Sequence, residues 1–182
     1  QGLYDITEEI ECSHIYVSEY SMPENNEGKY TFEPLGAGDT LDLGRDAVIT
    51  VLCPSGLVPQ SDNDASIVFL LEQGDFSMLF TGDAGDSADP AIINNINNCT
   101  ILKASHHGSS TGTSEALLRA LAPEAVLISA NDSGKLPSDE VIERLGKFNI
   151  DYYITKYTGM ITVEVDDGKY SIKAFLGDGN ES

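Results

Sequence analysis

Three side chains have the type and spacing to do chemistry together. They are Asp83 in "LFTGDAGD" and the adjacent His106 and His107 in "ILKASHHGSS". Each group directly follows a short apolar run. Carboxylate oxygen and imidazole nitrogen suit a borderline cation such as Zn²⁺, and also Mn²⁺ or Fe. The chain has only three histidines, so two side by side concentrate the residue best suited to metal binding or proton transfer. Plainer uses stay open. Asp83 also suits a turn or a helix cap, and a strand-end imidazole also serves as a hydrogen-bonding group. His14, inside the run "CSHIYVSEY", reads as a structural or surface residue. Ser109, Ser110 and Thr111 could donate to a phosphate, but a polar loop entering a helix needs such residues anyway.

These groups form one site only if the elements before them end at one place. Asp83 sits just past a strand expected over 76–80, and the His pair just past a strand expected over 100–104. In sheets with helical crossovers, groups at strand carboxyl ends collect along one edge, where ligands bind. Gly82 and Gly108 let the backbone turn beside them. Around this centre, "DTLDLG" with "AVITVLCP" reads as a hairpin, and "SIVFLL" with "FSMLF" as another, turning at "EQGD". The second pair is apolar at nearly every position, so both its faces should be covered.

From Asp83 onward strands alternate with helices. Asp89 is expected as a helix N-cap with Pro90 in first position, followed by the stripe Ile92, Ile93 and Ile96. Thr113 or Ser114 should cap a helix with the stripe Leu117, Leu118 and Leu121. Ser138 should cap another that buries Val141, Ile142 and Leu145. "AVLISA", "DYYIT", "GMITVEVDD" and "KYSIKAFL" are strands, the last two joined at "DDGK". The pattern is mixed α/β: a mixed sheet, or two stacked sheets, with helices on the outer faces. The chain reads as a single domain over 1–182, with 177–182 a frayed tail.

Thirty acidic residues against ten basic ones give a net charge of −20, which repels phosphate at long range. This argues against non-specific nucleic-acid binding, though not against a local cationic or metal-neutralised site. No apolar run approaches the roughly 20 residues that cross a bilayer. Cys12, Cys53 and Cys99 match no zinc or C-x-x-C spacing and read as buried or strand-embedded free thiols.

The segments "SIVFLLEQGDFSMLFTGD", "ILKASHHGSSTGTSEALLRALAPEAVLIS", "PSDEVIERL" and "ITKYTGMITVEVDDG" together resemble a metallo-β-lactamase-fold domain of the ComEC type. The resemblance runs from about residue 40 to 175 and corresponds to the C-terminal portion of such a domain. It implies an αββα sandwich, here incomplete, with a metal site at the sheet edges. It implies that Asp83 is a bridging carboxylate and that one of His106 and His107 is the late metal-binding histidine. It implies Zn (or Mn) in the full-length parent, and a metal-activated water that attacks a phosphodiester or related ester.

The early H-x-H-x-D-H motif of the family is absent. Lys135–Leu136 stand where a His is usual, and Lys156 where an Asp is usual. Two functional readings follow. In one, the chain is part of a metal-dependent hydrolase whose substrate is nucleic acid or a small phosphoester, inactive on its own and completed by a missing N-terminal half. In the other, it is a degenerate, non-catalytic binding or scaffold module of a surface protein. The family setting implied is competence and DNA uptake, in an extracellular or cell-surface bacterial location. Exposed sheet edges further suggest a homodimer.

Overall fold

A computed structural model describes residues 9–10, 12, 14–21, 30–55, 58–132 and 134–177. Residues 22–29, and all of the expected tail except Gly177, lie outside the described residues.

The centre is a seven-stranded sheet in the order β3-β4-β5-β6-β7-β8-β9. Its strands are β3 (Thr40–Gly44), β4 (Ala47–Cys53), β5 (Val68–Gln73), β6 (Phe76–Phe80), β7 (Ile101–Lys103), β8 (Ala125–Ile128) and β9 (Asp151–Ile154). Strands β3 to β6 pair antiparallel as two hairpins, and β6 to β9 pair parallel. The changeover follows the chain: tight turns join β3 to β4 and β5 to β6, a longer loop with a 3₁₀ turn at Asn63–Ala65 joins β4 to β5, and helices join the rest. Arg45 and Asp46 both take positive φ in the first turn, and Gly74 does so in the second, as tight hairpin connections require.

Three helices cross one face: α1 (Asp89–Asn95), α2 (Glu115–Leu121) and α3 (Asp139–Phe148). Ser114 and Ser138 cap α2 and α3, accepting from the N–H groups of Leu117 and Val141. The helix stripes Ile92, Leu117, Leu118, Leu121, Val141 and Leu145 pack on Leu52, Val68, Leu70, Leu79, Leu102 and Val126 of the sheet. Asp89 is the first residue of α1 rather than its N-cap. A 3₁₀ turn over Asp86–Ala88 runs straight into the helix, and the Asp89 carboxylate accepts from the Ser114 hydroxyl instead.

The opposite face carries the alternate side chains Phe76, Met78, Ile101 and Leu127. The hairpin β10 (Ile161–Asp166) and β11 (Lys169–Ala174) lies over them through Ile161, Val163, Val165, Tyr170 and Ile172. The hairpin turns at Asp167–Gly168, both at positive φ. The described residues thus form a helix layer, a large mixed sheet and a two-stranded second layer. A parallel pair, β1 (Ile15–Ser18) and β2 (Phe32–Leu35), stands apart from the main sheet. Cys53 and Cys99 are buried free thiols, pushed up to about 11 and about 12 by burial. Cys12 departs from expectation: it is exposed and lies outside a strand. Among the described residues no helix is long and apolar enough to cross a membrane.

Candidate metal site at the carboxyl edge of the sheet

Because β6 and β7 run parallel with Phe80 opposite Lys103, the segments leaving them emerge together. The Thr81 hydroxyl donates to the Lys103 carbonyl at 2.8 Å, and the His106 N–H donates to the Gly82 carbonyl at 3.0 Å. Gly82 takes φ +54°, and a Cβ there would lie 3.0 Å from Ser66 Cβ. The close approach is used: the Asp83 N–H donates to Ser66 Oγ at 3.2 Å. The 3₁₀ turn Asn63–Ala65 before it and the first β strand wall a cleft of about 510 Å³ that reaches Gly82 and Asp83.

The His pair occupies an unusual backbone. His106 (φ 44°, ψ 48°), His107 (φ 57°, ψ 25°) and Gly108 (φ 83°) are three successive left-handed residues. Such a conformation is costly for residues with a Cβ and persists only where surroundings impose it. Here they do. The Ser105 N–H donates to Thr113 Oγ1 at 3.1 Å, and the Ser105 hydroxyl donates to the Ala84 carbonyl. The Ser138 N–H donates to the Gly108 carbonyl, and the Asp86 N–H to the Thr111 carbonyl, both at 2.9 Å. Arg144 of α3 donates from Nη1 to the Gly112 carbonyl and from Nη2 to the Ser110 carbonyl, each at 3.1 Å.

This turn sends the two imidazoles in different directions, with centroids 6.3 Å apart and planes at 64°. His107 faces Asp83, with Nε2 3.7 Å from Oδ1, and both side chains are about half exposed (50% and 46%). His106 faces the other way, its Nδ1 3.4 Å from the Asn63 side-chain nitrogen. His107 Nδ1 lies 2.7 Å from the Ser129 carbonyl oxygen just past β8. A carbonyl only accepts, so Nδ1 carries the proton, and in the neutral ring Nε2 presents a lone pair to Asp83. At 3.7 Å the two atoms are too far apart to hydrogen-bond directly.

Two acceptors face each other across a gap that a cation would fill, and the second nitrogen is held by a backbone carbonyl, as in metal-ligating histidines. The pair therefore fits two ligands of one metal ion. The remaining ligands are not met: among the described residues no group of three or more His, Cys, Asp or Glu converges, whereas a catalytic zinc ordinarily takes roughly three protein ligands. Further along the same edge, Lys156 Nζ lies 3.8 Å from Asp132 Oδ1. The Thr155 hydroxyl accepts from the Ala130 N–H and donates to its carbonyl at 2.9 and 2.8 Å, fastening the ends of β8 and β9.

Of the three residues singled out from the sequence, the structure brings Asp83 and His107 together and turns His106 toward the loop that holds Asn63. Sequence reasoning missed Asn63, Ser66, Arg144 and the Ser129 carbonyl. The loop "SDNDASI" gave only polarity, and a backbone carbonyl leaves no residue-type signature. Lys103 was also passed over, although it is the one charge inside "ILKA".

Known proteins share the sequence pattern and the fold of this chain. The family model for the metallo-beta-lactamase superfamily matches residues 2–130. Recombination protein 2 of Haemophilus influenzae is 31% identical over 125 residues, which is 68% of this chain and 16% of that protein. ComE operon protein 3 of Bacillus subtilis is 31% identical over 133 residues, 71% of this chain and 17% of that protein. The chain thus spans about a sixth of the length of these curated relatives. A crystal structure from Parabacteroides distasonis, assigned as a metal-dependent hydrolase, superimposes with a TM-score of 0.52 at 16% identity. It covers 78% of this chain and 63% of that one, a likeness of fold. With the family model spanning more than half its length, this chain belongs to the metallo-beta-lactamase superfamily.

Proposed function

We propose that this chain carries part of the catalytic edge of a metal-dependent hydrolase that cleaves a phosphodiester or related ester. Asp83 and His107 would hold the metal, with further ligands from outside the described residues. The observation that carries the reading is the Asp83–His107 pair, in which the Ser66 hydroxyl holds the Asp83 backbone N–H and the Ser129 carbonyl holds the His107 ring. A bound divalent cation, Zn²⁺ or Mn²⁺, would supply Lewis-acid activation of water and of the scissile ester. The chain's own part is positional. Asp83 offers a carboxylate oxygen at a site open to solvent, and His107 offers Nε2 with its tautomer set. The left-handed turn holds the ring where a flexible loop would not.

The names of the two curated relatives point to recombination and to the ComE operon. With them we infer nucleic acid as the substrate class, in a role akin to DNA uptake. The shortage of converging ligands among the described residues, with Lys156 paired to Asp132 at the same edge, favours as a second reading a non-catalytic module that keeps the fold and not the full site.

The test is metal titration of the chain with Mn²⁺ or Zn²⁺, alongside a phosphodiesterase assay on the longer parent. The expected result is metal binding that falls at least tenfold in His107→Ala and in Asp83→Asn but not in His106→Ala. Equal losses from both histidines would refute the assignment of His107. Stoichiometric metal without hydrolysis would favour the non-catalytic module.

A further inference from the structure

Lys103 closes β7, and its position follows from strand alternation. Ile101 lies on the hairpin-covered face and Leu102 on the helix face, so Lys103 shares the face of Ile101. Its neighbours across the sheet on that face, Phe80 and Leu127, belong to or pack against the apolar cluster beneath the hairpin. The aliphatic stem is half-buried there, and the ammonium reaches the carboxyl edge.

Its polar partners are few. Nζ donates to the Ala104 carbonyl at 2.9 Å, which uses one of three N–H donors. The chain has thirty carboxylates, yet no described one forms a direct ion pair with Lys103; the negative charge of Asp83 acts on it only from a greater distance. Several other described basic groups are engaged. Lys147 and Lys173 pair with Glu115 and Glu164, Lys156 with Asp132, and Arg144 binds loop carbonyls. Lys135 and Lys169 also lack ion pairs, but both are exposed and water completes them. Among the described residues Lys103 is the one half-buried lysine without an ion pair. A desolvated ammonium that retains unused donors is costly unless an anion completes it.

We propose that Lys103 is an anion-binding residue of this edge, whose free N–H donors hold an oxygen of a phosphate ester beside Asp83 and His107. The proposal rests on the phosphoester reading for its ligand, but binding needs no hydrolysis. The long-range field of a chain at −20 opposes phosphate, so any such binding needs a local, water-poor cation. An ammonium fits as a point charge; Lys103→Arg keeps the charge and Lys103→Met keeps only the stem.

The experiment is titration of the 182-residue chain with inorganic phosphate, followed by NMR, for the native chain and for Lys103→Met, Lys103→Arg, Lys147→Met and Asp83→Asn. The expected result is millimolar binding that weakens at least tenfold in Lys103→Met. It stays within about threefold in Lys103→Arg, is unchanged in Lys147→Met, and tightens in Asp83→Asn as a neighbouring negative charge is removed. An unfolding midpoint for Lys103→Met at or above native shows that the loss is not unfolding. Native-like phosphate binding in Lys103→Met, or none in the native chain, overturns the proposal.

Competition by glycerol 3-phosphate and by a short single-stranded DNA identifies the ester class that uses the subsite, and displacement by neither overturns it. Phosphate binding that persists where the parent shows no metal-dependent hydrolysis removes the hydrolase reading alone. Full hydrolysis in a Lys103→Met parent removes the subsite alone.

Discussion

The left-handed His pair makes a prediction whose sign is opposite to ordinary expectation. At most positions glycine is less stabilising than alanine by about 0.5–1 kcal/mol, because it loses more backbone freedom on folding. At φ 44° and 57°, however, His106 and His107 carry the steric cost of a Cβ against the following carbonyl, roughly 1–2 kcal/mol per residue. Alanine keeps that cost and glycine removes it. The net advantage of glycine over alanine is then about 0.5–1 kcal/mol per site, or about 1–2 kcal/mol for both, if the sites add. For a chain of this size the double difference corresponds to roughly 2–8 °C in Tm.

The assay is equilibrium denaturation by urea of His106→Gly, His106→Ala, His107→Gly, His107→Ala and the two double variants. Ala116→Gly, on the exposed side of α2, serves as reference and should lose about 1 kcal/mol. Comparing glycine with alanine at one position cancels the lost imidazole contacts. The reasoning is refuted if the alanine variants match or exceed the glycine variants while Ala116→Gly behaves normally. If glycine wins, metal binding should still fall in His107→Gly, which would mean the strain holds the ring and serves no packing need.

Other consequences follow from particular contacts. A Cβ on Gly108 would meet Pro137 Cβ at 2.6 Å while the backbone sits at φ +83°; Gly108→Ala should cost about 2–4 kcal/mol by overpacking and backbone strain, read by denaturation. Burial, and secondarily the charge of Asp86, hold the Asp89 carboxyl above the ordinary carboxylate value, against the lowering effect of Ser114. The folded state then binds the proton more tightly, so this contribution to stability is full below the unfolded value and is lost as pH rises through the folded one. Asp89→Asn should flatten that part of a stability–pH profile and be at least as stable at pH 7; a clear loss at pH 7 would contradict the assignment. Tyr170 donates to Glu124 at 2.6 Å and ties the covering hairpin to the start of β8; Tyr170→Phe should cost about 1 kcal/mol and raise hydrogen exchange in β10 and β11 first. The exposed group Tyr157, Met160, Phe175 and Leu176, with the open edge of β3, should drive self-association visible by ultracentrifugation, and a monomer at high concentration would count against it.

What could be read from the sequence was what local chemistry decides. Ser114 and Ser138 announce their helices because a hydroxyl before an apolar stripe has one good use there, and "DDGK" announces its hairpin because Asp-Gly tolerates positive φ. The junction before Asp89 was misplaced by one residue because Asp86–Ala88 had already begun to coil. The site was half legible. Two strand ends at one edge follow from the alternation of helices and strands after Asp83. Which imidazole turns inward does not, since that depends on three left-handed residues that His would avoid on its own, and on a carbonyl one strand away. Lys103 reads as the end of a strand, and its lack of a direct ion pair is visible only in three dimensions.

The hold on His107 by the Ser129 carbonyl has a practical corollary. Alanine scanning reads side chains, and Ser129→Ala leaves this carbonyl in place, so a scan would pass over one of the contacts that aim the ring. The orientation is written in the path of the main chain from β8 toward the Thr155 hydroxyl bridge at Ala130. Backbone editing reaches what codon changes cannot: an ester in place of the amide that follows residue 129 weakens its carbonyl as an acceptor and also removes the Ala130 N–H that donates to Thr155, a second loss that Thr155→Val, which removes the same bond, would calibrate. By the same logic, side-chain drift at position 129 is free to proceed without disturbing the imidazole it supports.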